Sequence, residues 1–255
     1  MRSQQLLFAL AISCVCMSVS YGVRSQVLIS LLLGDELNSG QLGYGLNGGL
    51  NYSSLTGTEE AKFLRSFYIG TYFDIRLRQK SDLYLHTGVR LKSELGARGI
   101  GVYPMNEPYL DSVLTGGSVE RTLKYIHIPA LVRYKFPNHF FVEIGPMFGL
   151  LVRAKDEFFN RMKKDDDLLF QNIVTDQYKW LDAGLEAGIG YHLMKGKGVY
   201  LGVRYYQGLL DVLKDNASSP CLNQSIYLFA SIPVGTLREA QARRVQKKSK
   251  KDTGQ

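Results

Sequence analysis

Hydrophobic and polar residues alternate with a period of two along most of this chain. In the segment 125–136 every even-numbered residue is apolar or aromatic, whereas the odd-numbered side carries His127, Arg133 and Lys135. A helix would mix these two sets, but a β-strand sends successive side chains to opposite faces. The pattern therefore predicts strands at Tyr125–Phe136 and in seven further segments: Leu42–Tyr52, Phe67–Arg78, Leu83–Leu95, Phe140–Leu150, Leu181–Leu193, Val199–Leu209 and Ile226–Val234.

The lengths of these strands and of their connections point to a membrane barrel. Most of the strands have about ten residues or more, which is enough to cross a bilayer and exceeds the ~5–6 residues usual in soluble sheets. Short polar turns at 79–82, 137–139 and 195–198 alternate with long polar segments at 53–65, 96–121, 153–179 and 214–224. Outer-membrane barrels show this asymmetry, with short periplasmic turns and long external loops. We therefore predict an all-β fold, an eight-stranded antiparallel up-and-down transmembrane β-barrel with both termini periplasmic.

Charged residues collect on the faces of the strands opposite the apolar ones, which assigns them to the barrel interior. The lumen of an eight-stranded barrel is just wide enough for side chains to fill it, and an isolated buried ion is costly. We therefore predict a structural lumen network of paired charges and no wide pore, formed by Asp74, Arg76, Arg90, Glu94, Arg133, Glu143, Asp182, Glu186 and Arg204. Strand adjacency suggests Glu143 as the partner of Arg133. A secreted lipocalin-like binder is disfavoured because its interior would be apolar.

The two ends of the chain differ in composition from the predicted barrel. Residues 1–25 resemble a signal peptide, with Arg2 before an apolar stretch and Ser25 at the preferred cleavage site. Residues 26–39 form a periplasmic lead-in, 40–235 the outer-membrane β-barrel, and 236–255 a basic periplasmic tail. The net charge of +8 belongs mostly to the tail, because 26–235 holds 22 basic and 21 acidic residues. This distribution argues against nucleic acid as a partner, and the tail either solubilises the chain or binds a periplasmic component.

No catalytic, cofactor-binding or metal-binding residue is predicted. The run Gly43–Gly48 matches G-x-G-x-x-G by letter, but it lies in a strand with no helix after it. His86, His127 and His192 face inward, and without metal-ligand spacing they are expected to join the polar network. Removal of the signal peptide leaves Cys221 as a single thiol. The charged run 163–167 is a solvated loop or a site for cations that bridge lipopolysaccharide.

Four strand motifs resemble the PorT-like outer-membrane β-barrel proteins of Bacteroidetes. They are Tyr125-Ile-His-Ile-Pro-Ala-Leu-Val-Arg-Tyr-Lys-Phe, Phe141-Val-Glu-Ile-Gly-Pro, Asp182-Ala-Gly-Leu-Glu-Ala-Gly-Ile-Gly-Tyr and Val203-Arg-Tyr-Tyr-Gln-Gly-Leu. The resemblance covers about residues 26–235 and implies the same barrel architecture. The founding members of that family are associated with type IX protein secretion, so the resemblance also implies a role as an accessory of secretion.

Two functional hypotheses follow for this predicted barrel. The first is a non-enzymatic outer-membrane protein with a structural or interaction role or as an accessory of protein secretion. Its expected partners are outer-membrane lipid, lipopolysaccharide and a secretion-system or periplasmic protein, with no cofactor. The alternative is a barrel enzyme that modifies lipid A or phospholipid.

Overall fold

The fold is known from a computed structural model that describes residues 42–58, 61–78, 81–162, 166–196, 198–214 and 220–234. The predicted signal peptide, lead-in and basic tail lie outside these ranges. So do the lysines of the charged run 163–167. Within the described ranges, no helix is long and apolar enough to cross a membrane.

Eight antiparallel strands close into a ring. Hydrogen-bonded neighbours follow the order β1, β2, β3, β4, β5, β7, β8, β9, and β9 returns to pair with β1. This ring confirms the predicted eight-stranded antiparallel barrel. The strands are β1 (Leu42–Leu55), β2 (Lys62–Arg76), β3 (Leu83–Gly101), β4 (Ser118–Lys135), β5 (Phe140–Met162), β6 (Asp166–Ile173), β7 (Leu181–His192), β8 (Tyr200–Gly208) and β9 (Asn223–Pro233).

The connections differ at the two ends of the barrel. At one end, which we call the turn end, β2–β3, β4–β5 and β7–β8 are joined by short links, the last of them containing α2 (Leu193–Gly196). The opposite end, which we call the loop end, carries the longer connections. They contain α1 (Pro108–Leu114) and a 3₁₀ turn (Thr175–Gln177).

Side chains alternate between the outer surface and the lumen as the sequence predicted for the membrane-spanning parts. On β4, Val132 is 42% exposed and Arg133 is fully buried. On β5, Ile144 is 60% exposed and Glu143 is buried. The outward rows are apolar, so the barrel presents a hydrocarbon-compatible surface and keeps its charges inside.

The strands extend further at the loop end than the sequence analysis predicted. In the segments 96–121 and 153–179, residues 96–101, 118–121, 153–162 and 166–173 are strand, because β3, β4 and β5 continue beyond the apolar rows and β6 is added. A ninth strand, β6, pairs only with the extension of β5 and does not belong to the ring. These extensions follow register shifts between Arg90 and Ser93 and between Lys124 and Tyr125. On β3 and on β5 the shift reverses which residue numbers face inward, whereas odd numbers face inward along the whole of β4.

A hydrophobic cluster closes the loop end of the barrel. Its members come from the strand extensions, from α1 and from the segments that precede β7 and β9, and they include Leu95, Leu114, Leu123, Ala154, Phe158, Val174, Tyr178, Val212 and Cys221. All nine are nearly fully buried. The lumen is therefore covered at this end by packed side chains from the connections.

Candidate functional site

Six charged side chains form a continuous line across the lumen with alternating signs. In order they are Asp74, Arg133, Glu143, Arg204, Glu186 and Arg90, and we call this set the ion chain. All six are buried. They come from β2, β4, β5, β8, β7 and β3, so the ion chain links six of the eight strands of the ring.

The ion chain is held by short, directional hydrogen bonds. Arg133 Nε donates to Glu143 at 2.7 Å, and its Nη1 donates to Asp74 at 3.1 Å. Arg204 Nε donates to the other oxygen of Glu143 at 2.5 Å and lies 3.4 Å from Glu186. Each carboxylate therefore contacts at least two cations, which offsets the large penalty for burying the charges.

Aromatic rings cover the guanidinium groups on their remaining sides. The Arg204 guanidinium lies 3.7 Å from the ring centre of Phe229, and that of Arg133 lies 4.5 Å from the ring centre of Phe141. Arg90 lies 4.9 Å from the ring centre of Tyr227. The negative ring faces stabilise these cations where water is excluded.

Asp74 extends the ion chain toward the turn end through two further contacts. Lys135 Nζ donates to Asp74 at 2.9 Å and to the Tyr200 hydroxyl at 3.1 Å. His86 Nδ1 lies 2.7 Å from Asp74, and its Nε2 lies 3.2 Å from Arg204. Both residues lie on the inner face that the sequence pattern predicted for them, and His86 joins the polar network as expected.

Three residues of the predicted network lie apart from the ion chain. Asp182 is buried nearer the loop end, where the Asn223 side-chain amide donates to it at 2.8 Å. Arg76 lies at the turn end and donates to the Tyr84 hydroxyl at 2.7 Å. Glu94 does not face the lumen. The bulge between Arg90 and Ser93 turns it outward, where it forms an ion pair with Lys124 at 3.3 Å.

Glycines make room for the large inward side chains. A Cβ added to Gly188 would lie 2.8 Å from Cγ of Arg204 and 3.2 Å from Oε1 of Glu143. A Cβ added to Gly202 would lie 2.7 Å from the Phe229 ring. The run Gly43–Gly48 lies within β1, as expected for glycines of a crowded lumen and not for a dinucleotide site.

A second, smaller charged site lies in the extensions at the loop end. Arg121 donates two hydrogen bonds to Asp156, at 2.8 and 2.6 Å, and the Tyr103 hydroxyl donates to the same carboxylate at 2.9 Å. Burial raises the pKa of Tyr103 to about 12, and the charge of Asp156 adds to this effect. This site was not predicted from the sequence, because both segments have the polar composition of loops, although 119, 121 and 123 continue the inward alternation.

Few other described side chains are candidates for a reactive or metal-binding site. Cys221 is buried just before β9, and burial raises the pKa of its thiol. Among the described residues, no three His, Cys, Asp or Glu side chains come together as a metal site.

Comparison with known proteins agrees with this architecture. Residues 34–214 match the family described as outer membrane protein beta-barrel domain. No curated protein sequence matches the chain. Similar solved structures include the attachment invasion locus protein Ail of Yersinia pestis, at 10% identity and a TM-score of 0.42, covering 76% of this chain and 99% of Ail. Neisserial surface protein A is 12% identical with a TM-score of 0.37, covering 76% of this chain and 99% of its own.

Proposed function

This chain belongs to the outer-membrane β-barrel family, and from that premise we propose that it is a non-enzymatic, non-conducting barrel. Its role is to hold a structured loop end outside the cell for contacts with partner proteins, as an accessory of protein secretion. Both termini are periplasmic in this proposal, because short turns face the periplasm in such barrels and the described chain begins and ends at the turn end.

The ion chain is the observation that carries the proposal. A conducting barrel needs a continuous aqueous path, whereas here buried ion pairs and the aromatic rings around them occupy the lumen. The hydrophobic cluster covers the loop end in addition. Each carboxylate of the ion chain is shared between cations, which leaves it poorly suited to act as a general base.

The ordered loop end supports a role in protein contacts. The extensions of β3, β4 and β5 form a sheet that the Arg121–Asp156 pair and the hydrophobic cluster hold together. Such a preformed surface presents side chains to a partner without a large ordering cost. The PorT-like strand motifs point to secretion as the process in which these contacts are used.

Conductance measurements test the closed lumen. Wild-type protein in planar bilayers is expected to show no steady channel, and a reproducible open conductance would exclude the closed-barrel role. Incubation with lipid A or phospholipid is expected to leave the lipid masses unchanged. A mass change that requires the folded protein would instead support the enzyme alternative.

Two similarly exposed positions at opposite ends test orientation and contacts. Tyr109 on α1 is 77% exposed, and Met194 on α2 is 75% exposed. In intact cells a membrane-impermeant thiol reagent should label Tyr109→Cys and spare Met194→Cys; the opposite result would reverse the orientation.

A photo-crosslinking residue at 109 should capture secretion components or exported proteins, and cells without the barrel should export less protein. Unchanged export would remove the secretion role.

A further inference from the structure

Basic residues lie on the outer surface of β2–β5, directly beyond the apolar rows. They are Arg65, Lys92, Lys124 and Arg153, and we call them the basic belt; all four are exposed. Each lies just beyond an outward apolar residue in the direction of the loop end. Arg65 lies beyond Phe67 on β2, and Lys124 lies beyond Ile126 on β4. The bulge that turned Glu94 outward also places Lys92 on this surface.

The height of the basic belt matches the headgroup region of the membrane. On β5 the outward apolar row runs from Phe140 to Leu150, and Arg153 comes next after Val152. Ten residues at a rise of ~3.3 Å and a tilt of ~40° span ~25 Å along the membrane normal, which is the usual height of the apolar band. The cationic groups of the basic belt therefore lie at the level of lipid headgroups and not at the tips of the loops.

The basic belt carries more positive charge than its own carboxylates neutralise. Lys124 and Arg153 are direct cross-strand partners, a like-charge arrangement that disfavours the pairing of β4 with β5. Glu94 pairs with Lys124, and among the described residues Arg65, Lys92 and Arg153 form no ion pair. Lys92 rests 3.9 Å from the ring centre of Phe67, with its ammonium at the edge of the apolar surface.

The opposite side of the barrel lacks this charge. At the loop end of β8, β9 and β1, the outward described positions nearest the same level are Gln207, Gln224 and Tyr52. If these charged residues served only to hydrate the surface, they would be expected around the whole circumference of the barrel. The charge is instead confined to one sector, which is the pattern expected for a bound anionic ligand.

We infer that the basic belt binds the phosphate groups of lipopolysaccharide in the outer leaflet while the acyl chains lie along the apolar rows below. Arginine and lysine form charge-assisted hydrogen bonds to phosphate oxygens, and one bound phosphate relieves the repulsion between Lys124 and Arg153. A soluble polyanion would satisfy the charge but not the adjacent apolar surface. The inference rests on the proposed orientation, with the loop end outside the cell, and is independent of the proposed role in secretion.

Native mass spectrometry of the full-length folded protein with added lipid tests the inference. The probes are lipid A with both phosphates and the same lipid after phosphate removal. Each cation near a charged membrane surface contributes about 1 kcal/mol, or about fivefold in binding. The double variant Lys124→Ala/Arg153→Ala is therefore expected to bind phosphorylated lipid A at least tenfold more weakly than wild type.

A control variant removes the same charge elsewhere. Arg78 lies exposed at the turn end, and Lys214 lies exposed in the segment after β8, so Arg78→Ala/Lys214→Ala should bind lipid A like wild type. Equal loss in both double variants, or equal binding of dephosphorylated lipid A to wild type, would overturn the inference. Inositol hexakisphosphate that binds wild type as tightly as lipid A would show a soluble-anion site instead.

Folding is checked for each variant by the mobility difference between heated and unheated samples. If the double variant does not fold, the inference can still be tested on the wild-type protein. Its binding of phosphorylated lipid A should weaken as sodium chloride rises from low to high concentration, because exposed ion contacts are screened. Binding that does not respond to salt would contradict a phosphate site.

Discussion

A charge introduced at Val132 should destabilise the barrel according to its depth in the membrane. Val132 faces outward between Leu85 and Ile144 on the neighbouring strands. From the rise and tilt of a barrel strand it lies ~10 Å from the level of Phe136 and ~15 Å from that of Ile126, close to the middle of the apolar band. Arginine at the bilayer midplane costs about 2–4 kcal/mol, so Val132→Arg should lose that much of the free energy of unfolding.

Two controls separate depth from other effects. Phe136→Arg introduces the same side chain at the turn end of the same outward row, where the cost falls to about 0–1 kcal/mol. Val132→Leu keeps an apolar side chain at the midplane and should change the stability by less than about 0.5 kcal/mol.

The inward neighbour Arg133 should respond by a different mechanism. Arg133→Met removes one cation from the ion chain, but Asp74 keeps Lys135, and Glu143 keeps Arg204. Breaking a buried ion pair typically costs about 3–5 kcal/mol, and the remaining cations should limit this loss to about 2–3 kcal/mol.

The free energy of unfolding can be measured by urea titration of protein folded in lipid vesicles, with the folded fraction read from the gel shift between heated and unheated samples. Val132→Arg within about 0.5 kcal/mol of wild type would refute the lipid-facing assignment. An equal loss in Phe136→Arg would refute the depth assigned to the strand.

Three further outcomes are expected from the described contacts. Gly202→Val should lose more than about 2 kcal/mol or fail to fold, because its Cβ would meet the Phe229 ring; urea titration reports the loss. Asp156→Asn should weaken the contact with Arg121 and increase proteolysis at the loop end, while the heat-dependent gel shift of the barrel persists. A thiol reagent should label Cys221 much faster in unfolded than in folded protein, with Cys221→Ser as the control, and equal rates would contradict its burial.

The membrane-spanning strands were predictable from sequence because one alternation holds along each of them. In this part of β4, even numbers face lipid and odd numbers face the lumen, as the pattern of Val132 and Arg133 indicated. Lipid on one side and a narrow lumen on the other impose the same contrast at every position, so the period-two signal is strong.

The strand extensions were not predictable in the same way because both of their faces lie outside the membrane. Outward positions such as Lys124 and Arg153 are charged, which makes the segments resemble loops. Bulges near Lys92 and Val152 also shift the alternation by one residue. A bulge depends on the pairing with the neighbouring strand, which a single chain pattern does not contain, and this accounts for the misplacement of Glu94.

The ion chain also explains how a narrow barrel of glycine-rich strands keeps one register. A slip of one residue on β4 would exchange the faces of Val132 and Arg133, so the guanidinium would enter hydrocarbon and Glu143 would lose a partner. The first effect alone costs about 2–4 kcal/mol near the midplane. A slip in β4, β5, β7 or β8 breaks contacts of the ion chain with two other strands, one of which is not a neighbour in the sheet. A slip in β2 or β3 breaks its one contact in the ion chain, which is with a strand that is not its neighbour. We therefore attribute to the buried charges a role in specifying the arrangement of the strands, in addition to filling the lumen.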